Sequence, residues 1–181
     1  MIRRFLERAA RAFGRKYRYD VSYMLDVIDV SPNAGLRLLM GPQIIQYRGP
    51  AAARSVVSGA YLASTLDGDC GPCAQLVVDM GLEAGVDAAA LRACAEGRVA
   101  EAGDVGLGFA FARAAIAADP EAEDLGAQIA GRYGRAALVA ASFGAAMGRF
   151  YPVFKRGVGH GAACQRLDFG AGPEMLFRSH G

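Results

Sequence analysis

The chain has 181 residues, 53% of them hydrophobic, and a formal net charge of +2 at pH 7. This length supports one good hydrophobic core and therefore one domain, and the near-neutral charge excludes a polyelectrolyte role for the chain as a whole. The basic residues are instead concentrated in the first 18 positions, where Glu7 is the only acid.

Apolar residues recur at helical spacing along nearly the whole sequence, and alternating strand-like runs are scarce, so we expect an all-α protein. A first helix places apolar residues from Ile2 to Tyr17 on one side and arginines on the other. A second helix, around 21–30, ends at Ser31, which can cap a third helix that has Pro32 in its first turn. The following stretch MGPQIIQYRGP, residues 40–50, predicts a broken connector.

Beyond the connector the predicted helices lengthen. One runs from Pro50 to about Leu66, and the turn DGD separates it from a helix that begins at Cys-Gly-Pro-Cys, residues 70–73, and ends near Gly85. Asp87 is expected to cap the next helix. Three later helices are predicted at roughly 104–118, 120–133 and 135–154, with Pro152 kinking or ending the last of them.

We expect one compact domain with three parts. They are an N-terminal helical extension (1–49), a central helical domain (50–156) and an irregular, glycine-rich C-terminal tail (157–181). Helix 135–154 is apolar nearly all round, which favours burial on several sides and a homo-oligomer. Glycines around Gly106 and Gly108 do not follow a strand, so we interpret them as sites of close helix packing and not as a dinucleotide fingerprint.

The sequence gives no sign of a targeting segment. Paired arginines and further charges interrupt the N-terminal stretch where a secretory signal needs an apolar run, and the longest apolar run, residues 137–148, is shorter than the roughly 20 residues of a membrane-spanning helix. The basic first helix is interpreted as a solvated face. We therefore predict a cytoplasmic protein with neither a membrane nor a nucleic acid as partner.

The Cys-Gly-Pro-Cys tetrad is the strongest chemical signal. Four cysteines are too few for a secreted disulfide scaffold, and a close pair in a reducing compartment indicates metal binding or catalysis. At a helix start, unpaired N–H groups and the helix dipole stabilise a thiolate, and the spacing also suits a disulfide. Cys73 is predicted to lie with Leu76, Val77, Met80 and Ala84 on the face that meets the core, which makes Cys73 the sheltered thiol and Cys70 the exposed one.

Two other interpretations of the cysteines remain open. Cysteine is often only a small buried hydrophobe, and we expect this of the isolated Cys94 and Cys164. A zinc site is the second alternative, because His160 and Cys164 have ligand-like spacing and could join Cys70 and Cys73. A second tightly spaced cysteine pair, the stronger zinc signature, is absent from the sequence.

The segment Cys70-Gly71-Pro72-Cys73-Ala74-Gln75-Leu76, at a helix start within a helical framework, resembles the alkylhydroperoxidase D-like branch of the carboxymuconolactone decarboxylase-like superfamily. The resemblance covers roughly residues 50–130. Thioredoxin also has a C-x-x-C motif, but it needs a strand before the motif, and SGAYLASTLDGD predicts helix and turn.

The resemblance implies a helical subunit that assembles into trimers or hexamers, with a dimer as a further possibility. It also implies a cysteine pair that reduces organic hydroperoxides. Cys73 would attack the peroxide and Cys70 would resolve the product as a disulfide, with no cofactor or metal, and an external thiol reductant would restore the dithiol. We therefore expect a thiol-dependent oxidoreductase that acts on hydroperoxides or partner disulfides.

The chain departs from the family pattern at the proton relay, where a glutamate and a histidine are replaced by Ser58 and Val77. Asp67, Asp69 and His160 are candidates to rebuild the relay, although we expect the two aspartates to cap the helix and His160 to occupy a solvated loop. Loss of the relay leaves a second functional hypothesis open. In that hypothesis the chain is an oligomeric scaffold or small-ligand binder that has kept the fold and lost efficient catalysis.

Overall fold

The computed structural model describes residues 1–161, 165–170 and 175–177. The chain folds as an all-α protein, as the helical periodicity predicts. The α-helices of the described residues are α1 Ile2–Tyr17, α2 Ser22–Val30, α3 Pro32–Ile45, α4 Arg54–Asp67, α5 Gly71–Glu83, α6 Ala88–Ala95, α7 Gly103–Ala117, α8 Glu121–Tyr133, α9 Arg135–Met147 and α10 Phe150–Gly157. Single 3₁₀ turns, Ala51–Ala53 and Val99–Glu101, precede α4 and α7.

Two helix starts follow directly from the capping residues in the sequence. The Ser31 hydroxyl accepts a hydrogen bond from the Ala34 backbone N–H at 3.3 Å, with Pro32 in the first turn of α3. Both carboxylate oxygens of Asp87 accept backbone N–H groups at the start of α6. These bonds satisfy donors that have no partner inside the helix, so both predicted caps are confirmed.

The predicted broken connector at 40–50 is partly wrong, because α3 continues through Pro42 to Ile45. Proline has no backbone N–H, so within the helix it leaves the carbonyl four residues earlier without its usual donor. That carbonyl belongs to Leu38, and it accepts a hydrogen bond from the Tyr151 hydroxyl at 3.0 Å. A side chain from α10 thus replaces the missing helical bond, which the local sequence could not reveal.

The predicted single helix 135–154 is also wrong, because Gly148 and Arg149 separate α9 from α10. Pro152 lies in the first turn of α10, where proline is tolerated, and so does not cause the break. Hydroxyl groups from α4 bind the carbonyls left at the end of α9. Ser64 Oγ donates to Ala145 O at 2.6 Å, and the Thr65 hydroxyl is shared between Tyr61 O at 2.8 Å and Gly148 O at 3.1 Å.

Residues Arg135–Gly157 together are long and apolar enough to cross a membrane by length and composition alone. The α9 part of this stretch packs against α4, α7 and α8. The α10 part contains Lys155, whose side chain is buried inside the protein. About 39% of the apolar window is buried, and core helices of globular domains pass the same length and composition test.

The main hydrophobic core, here called the core cluster, lies among α4, α5, α6, α7, α8 and α9. Alanine and glycine let these helices approach closely. A Cβ atom at Gly59 would clash with the backbone of Val105, and one at Gly108 would clash with the backbone of Val56. The predicted role of the glycines around Gly106 and Gly108 in close packing is confirmed, since a Cβ at Gly106 would meet the Val99 carbonyl.

The prediction of an irregular tail at 157–181 is wrong in part, because two short strands form among its described residues, whereas 158–161 and 168–170 have no helix or strand. Strands β1 Gln165–Leu167 and β2 Met175–Phe177 pair in an antiparallel hairpin with Arg166 opposite Leu176. Leu167 and Phe169 are completely buried in the core cluster. The Gln75 amide holds this segment to α5, because it donates to the Asp168 carbonyl at 2.8 Å and accepts from the Asp168 N–H at 2.6 Å.

Candidate functional site

The two cysteines of the tetrad lie at the start of α5. Cys70 is the N-cap residue, with extended backbone (φ −138°), and its Sγ accepts the Cys73 backbone N–H at 3.4 Å. The two Cα atoms are 5.3 Å apart and the sulfur atoms lie at disulfide-bonding distance. Gly71 and Pro72 form the first turn between them. Both sulfurs therefore face the positive end of the α5 dipole, which favours a thiolate over a thiol.

Both cysteines are buried. The exposed fraction is 4% for Cys73 and 9% for Cys70, so the predicted order is right but Cys70 is not an exposed thiol. Burial in apolar surroundings opposes ionisation of a thiol, whereas the helix N-terminus favours it. Reactivity of the pair therefore depends on the polar groups that surround the sulfur atoms.

The face of α5 that meets the core cluster differs from the predicted one. The buried residues on that side are Ala74 and Val78, whereas Met80 of the predicted face is 37% exposed. Cys73 points to the other side of the helix start, where it belongs to a second hydrophobic cluster. The prediction failed because it assumed that α5 packs against one hydrophobic cluster through a single apolar stripe. In the structure α5 begins between two clusters and contributes residues to both.

This second cluster, here called the N-terminal cluster, is formed mainly by α1, α2 and α3 and closes over the tetrad. Partly buried Leu76, Tyr151 and Phe154 pack against it from α5 and α10. Its buried members are Leu6, Ala10, Tyr19, Tyr23, Met24, Ile28, Leu38, Cys70 and Cys73.

A tight turn at the end of α1 directs Tyr19 into the N-terminal cluster. Arg18 adopts the left-handed conformation (φ 48°), and the Tyr19 N–H donates to the Gly14 carbonyl at 2.9 Å. A Cβ atom at Gly14 would lie 2.9 Å from the Tyr19 carbonyl oxygen and 3.1 Å from the Val21 side chain. Glycine at position 14 therefore lets the chain fold back onto α1 and carry Tyr19 to the sulfur atoms.

Two buried polar side chains, Tyr19 and Lys155, lie on the side of the tetrad that the N-terminal cluster covers. The Tyr19 hydroxyl oxygen lies 3.5 Å from Cys73 Sγ. The Lys155 ammonium lies 5.2 Å from the ring centroids of both Tyr19 and Tyr23, and the lysine is only 2% exposed. The Tyr23 hydroxyl is also buried, and its interaction with the Tyr19 hydroxyl affects the pKa of both phenols. A buried cation and two phenols thus lie beside the tetrad.

The electrostatics of these groups follow from their burial. Burial raises the pKa of Tyr19 to about 12, so its hydroxyl keeps its proton at neutral pH. Burial lowers the pKa of Lys155, and the charge of Asp20 partly offsets that effect. The pKa of Asp20 itself is lowered, because hydrogen bonds from Ser22 and the nearby Lys155 charge outweigh the partial burial of its carboxylate.

The three supporting residues predicted from the sequence lie in different places. The carboxylate of Asp67 forms an ion pair with Arg149. Asp69 occupies a left-handed turn (φ 56°), and the N-cap of α5 is Cys70, so the predicted capping of α5 by the two aspartates is wrong. His160 lies in the loop after α10, as predicted, but it is anchored to α2, because its Nε2 donates to Asp26 Oδ2 at 2.8 Å and its Nδ1 lies 3.3 Å from the Ser22 hydroxyl.

Ser58 and Val77 stand where the resembled family has its glutamate and histidine, and neither side chain is an acid or a base. A Cβ built at Gly81 would lie 3.9 Å from Ser58 Oγ, so Ser58 faces a point eight residues, or about 12 Å, along α5 from Cys73. Val77 packs against the core cluster. The expectation for Cys94 is confirmed, since it is 2% exposed and burial raises its thiol pKa to about 12.

A zinc site finds no support in the described part of the chain. Among those residues there is no group of three or more histidine, cysteine, aspartate or glutamate side chains placed to hold a metal ion. Cys164, the fourth ligand of the zinc alternative, lies outside the described residues. The prediction that Cys164 is buried is therefore not tested.

Sequence reasoning did not select Tyr19 and Lys155. The run YRYDVSY, residues 17–23, carries three tyrosines and was a possible signal, but an aromatic cluster ordinarily indicates only packing. Lys155 had no signal, because lysine is rarely buried and helical periodicity placed it at no special position. Tyr19 reaches Cys73 and Lys155 reaches the Tyr19 ring because the turn between α1 and α2, the start of α5 and α10 all pack at the N-terminal cluster.

Comparison of the chain with protein-family models, with curated protein sequences and with solved structures finds no match. The site is therefore interpreted from its own geometry.

Proposed function

We propose that the chain is a thiol-dependent oxidoreductase, similar in its chemistry to the alkylhydroperoxidase D-like proteins, which cycles Cys70 and Cys73 between dithiol and disulfide. The observation that carries the proposal is the placement of both sulfur atoms at disulfide-bonding distance at the N-terminus of one helix. A chance pair of buried cysteines requires neither the helix-start position nor the Gly-Pro insertion between the two residues.

In the proposed reaction the Cys73 thiolate attacks the outer oxygen of a hydroperoxide. An S–O bond forms, the O–O bond breaks, and the leaving alkoxide takes up the proton that Cys73 lost on ionising. Cys70 then attacks the sulfenic acid sulfur, which forms the disulfide and releases water. Two electrons pass from the dithiol to the peroxide, and an external dithiol returns them by thiol–disulfide exchange.

The burial of both sulfurs favours a small hydroperoxide over a protein disulfide as the oxidant. With 4% and 9% of the two cysteines exposed, a protein disulfide must displace the N-terminal cluster before its sulfur can meet either thiol, and the same holds for a protein dithiol that reduces the pair. The apolar lining of that cluster suits an organic hydroperoxide with a hydrocarbon group. No cofactor or metal takes part in this proposal.

A homo-oligomer remains part of the proposal. Ile44, Ile45, Val139 and Phe143 line an open apolar groove between the end of α3 and α9, and the first three are exposed. Exposed apolar side chains of this kind are compatible with subunit contacts. The cytoplasmic location also remains a prediction from the sequence.

The alternative function, a scaffold or small-ligand binder with the same fold, is favoured by the absence of the family's glutamate and histidine at Ser58 and Val77. The two proposals differ in what Cys73→Ser does. In an oxidoreductase the substitution abolishes turnover and leaves the fold intact, whereas in a scaffold it changes only stability.

The test uses the fully reduced protein and one equivalent of cumene hydroperoxide, followed by thiol blocking and peptide mass mapping. We expect a rapid Cys70–Cys73 disulfide in the parent and a sulfenic acid on Cys73 in Cys70→Ser. Serine keeps an oxygen at the N-cap, so this variant preserves the helix start. Oxidation of both thiols no faster than free cysteine would contradict the proposed function.

A further inference from the structure

The N-terminal cluster brings together two groups that the proposed reaction needs and that the family's relay positions no longer supply. The Tyr19 hydroxyl oxygen lies 3.5 Å from the sulfur of Cys73, within hydrogen-bonding reach of sulfur. The ammonium of Lys155, on α10, lies 5.2 Å from the Tyr19 ring centroid, inside the range of a cation–π contact. Ser58, in contrast, lies on α4 and faces Gly81, well along α5 from Cys73, and Val77 packs against the core cluster.

We propose that Tyr19 is a catalytic residue that donates its hydroxyl hydrogen bond to the Cys73 thiolate, and that Lys155 is a positioning residue that supplies positive charge beside it. This inference rests on the proposed redox function of the cysteine pair, and it names the groups that stabilise the Cys73 thiolate in that function. The N-terminal helices are then part of the active site and not an appendage to it.

The chemistry requires a donor and not a base at Tyr19. A hydrogen bond to the charged form of an acid lowers its pKa, and a nearby cation has the same effect. The Tyr19 hydroxyl stays protonated at neutral pH, since burial raises its pKa to about 12. It therefore holds a hydrogen bond to sulfur while the thiolate attacks the peroxide, and again when reduction of the disulfide returns the thiolate.

Lys155 is held in place by its surroundings. It is 2% exposed, and its ammonium faces the rings of both Tyr19 and Tyr23. A buried ammonium is costly unless an anion or aromatic faces compensate it. When Cys73 ionises, the new negative charge appears one tyrosine ring away from this cation. The thiolate and the ammonium thus stabilise each other in a region from which water is largely excluded.

Other titratable groups also lie around the sulfur. The N-terminal cluster includes the phenols of Tyr17, Tyr23 and Tyr151, and the Asp20 carboxylate acts on Lys155 at its edge. Asp69 precedes Cys70 in the chain. Burial raises the pKa of Tyr23 and of Tyr151, so these two phenols are neutral at pH 7. The negative charges of the two carboxylates oppose thiolate formation. The test therefore compares variants that change only Tyr19 or Lys155.

The experiment measures the thiolate directly, so that it does not depend on turnover. In a Cys70→Ser background, the absorbance of the Cys73 thiolate at 240 nm is titrated against pH, with Cys70→Ser/Cys73→Ser as the reference that subtracts tyrosine and the remaining cysteines. Tyr19→Phe and Lys155→Met are introduced separately. Tyr151→Phe is the matched control, because its hydroxyl binds the Leu38 carbonyl.

We expect a parent Cys73 pKa below the value of about 8.5 of a free cysteine. Tyr19→Phe should raise it by about one unit or more, which means an approximately tenfold smaller thiolate fraction at any pH below both pKa values. Lys155→Met should raise it in the same direction, and Tyr151→Phe should leave it unchanged. Phenylalanine and methionine preserve the apolar contacts, and circular dichroism of each variant verifies the fold.

A Cys73 pKa at or above that of free cysteine in the parent, or one that neither Tyr19→Phe nor Lys155→Met changes, would overturn the inference. The proposed function fails separately, if cumene hydroperoxide does not convert Cys70 and Cys73 to the disulfide. A protein that forms the disulfide rapidly while Tyr19→Phe leaves the thiolate pKa unchanged would keep the function and lose the role of Tyr19.

Discussion

The core cluster and the N-terminal cluster are built from different residues and serve different purposes. The core cluster relies on alanine, glycine and aliphatic side chains that let α4, α7 and α9 approach each other closely. The N-terminal cluster contains the buried tyrosines, the cysteine pair and a contact with a buried lysine. Close apolar packing suits stability, whereas phenols and a cation beside two sulfurs suit chemistry. The two clusters meet at α5, which presents one side to each.

The largest effect is expected where α4 crosses α7. A methyl group at Gly108 would clash with the Val56 backbone, which no side-chain rearrangement can relieve. We expect Gly108→Ala to lower the free energy of unfolding by about 3 kcal/mol or more. Urea unfolding followed by circular dichroism measures this.

The matched control for that substitution is Gly131→Ala in α8, where a Cβ would meet nothing within 4 Å. Alanine is the better helix former, so this change should stabilise the protein by about 0.5–1 kcal/mol. If both variants lost stability equally, the close crossing of α4 and α7 would not be the cause.

A pair of isoleucines compares the two clusters directly. Ile28 in the N-terminal cluster and Ile129 in the core cluster are both completely buried. Each Ile→Ala change should cost about 2–5 kcal/mol in unfolding free energy. Only Ile28→Ala should also speed reduction of the Cys70–Cys73 disulfide by a phosphine under native conditions, because it loosens the segment that covers the sulfurs.

The rate of disulfide reduction, measured by thiol release at several phosphine concentrations, distinguishes the two variants. Equal acceleration by Ile28→Ala and Ile129→Ala would mean that reduction follows global unfolding. In that case the N-terminal cluster would not act as a separate cover over the cysteines.

A smaller effect is expected for the contact that holds the tail to α5. Gln75→Ala removes both hydrogen bonds to the Asp168 backbone, and the loss should be about 1–3 kcal/mol. Hydrogen exchange of a peptide that contains residues 165–170 should accelerate. Gln128→Ala, on the exposed surface of α8, is the control and should change neither quantity.

The smallest effect concerns Asp79, whose pKa is raised chiefly by burial, although the hydrogen bond from Gln75 opposes the shift. A carboxyl group with a raised folded-state pKa favours folding at low pH, and this contribution is lost as the pH rises through the folded pKa. Asp79→Asn should therefore be more stable than the parent at pH 7, with an advantage that disappears towards pH 4. An advantage that is independent of pH in urea unfolding would contradict this explanation.

The sequence by itself determined much of the secondary structure and the chemical character of the candidate site. Helical periodicity predicted the all-α fold, Ser31 and Asp87 marked helix starts, and Cys70 and Cys73 were placed at the start of α5. These features depend on neighbours within about four residues. Local hydrogen bonding and the helix dipole act over that distance, so the sequence alone contains the information.

Only the tertiary structure decided what surrounds the cysteines. Contacts between segments far apart in the chain placed Tyr19 and Lys155 near Cys73, bonded Gln75 to Asp168 and turned the Cys73 side of α5 away from the core cluster. Each depends on how segments distant in the sequence pack together, as does the hydrogen bond from the Tyr151 hydroxyl to the Leu38 carbonyl, which lacks its helical donor. A local sequence pattern does not predict these contacts, because the free energy that stabilises them comes from packing between distant segments, and helical periodicity does not identify the packing partners.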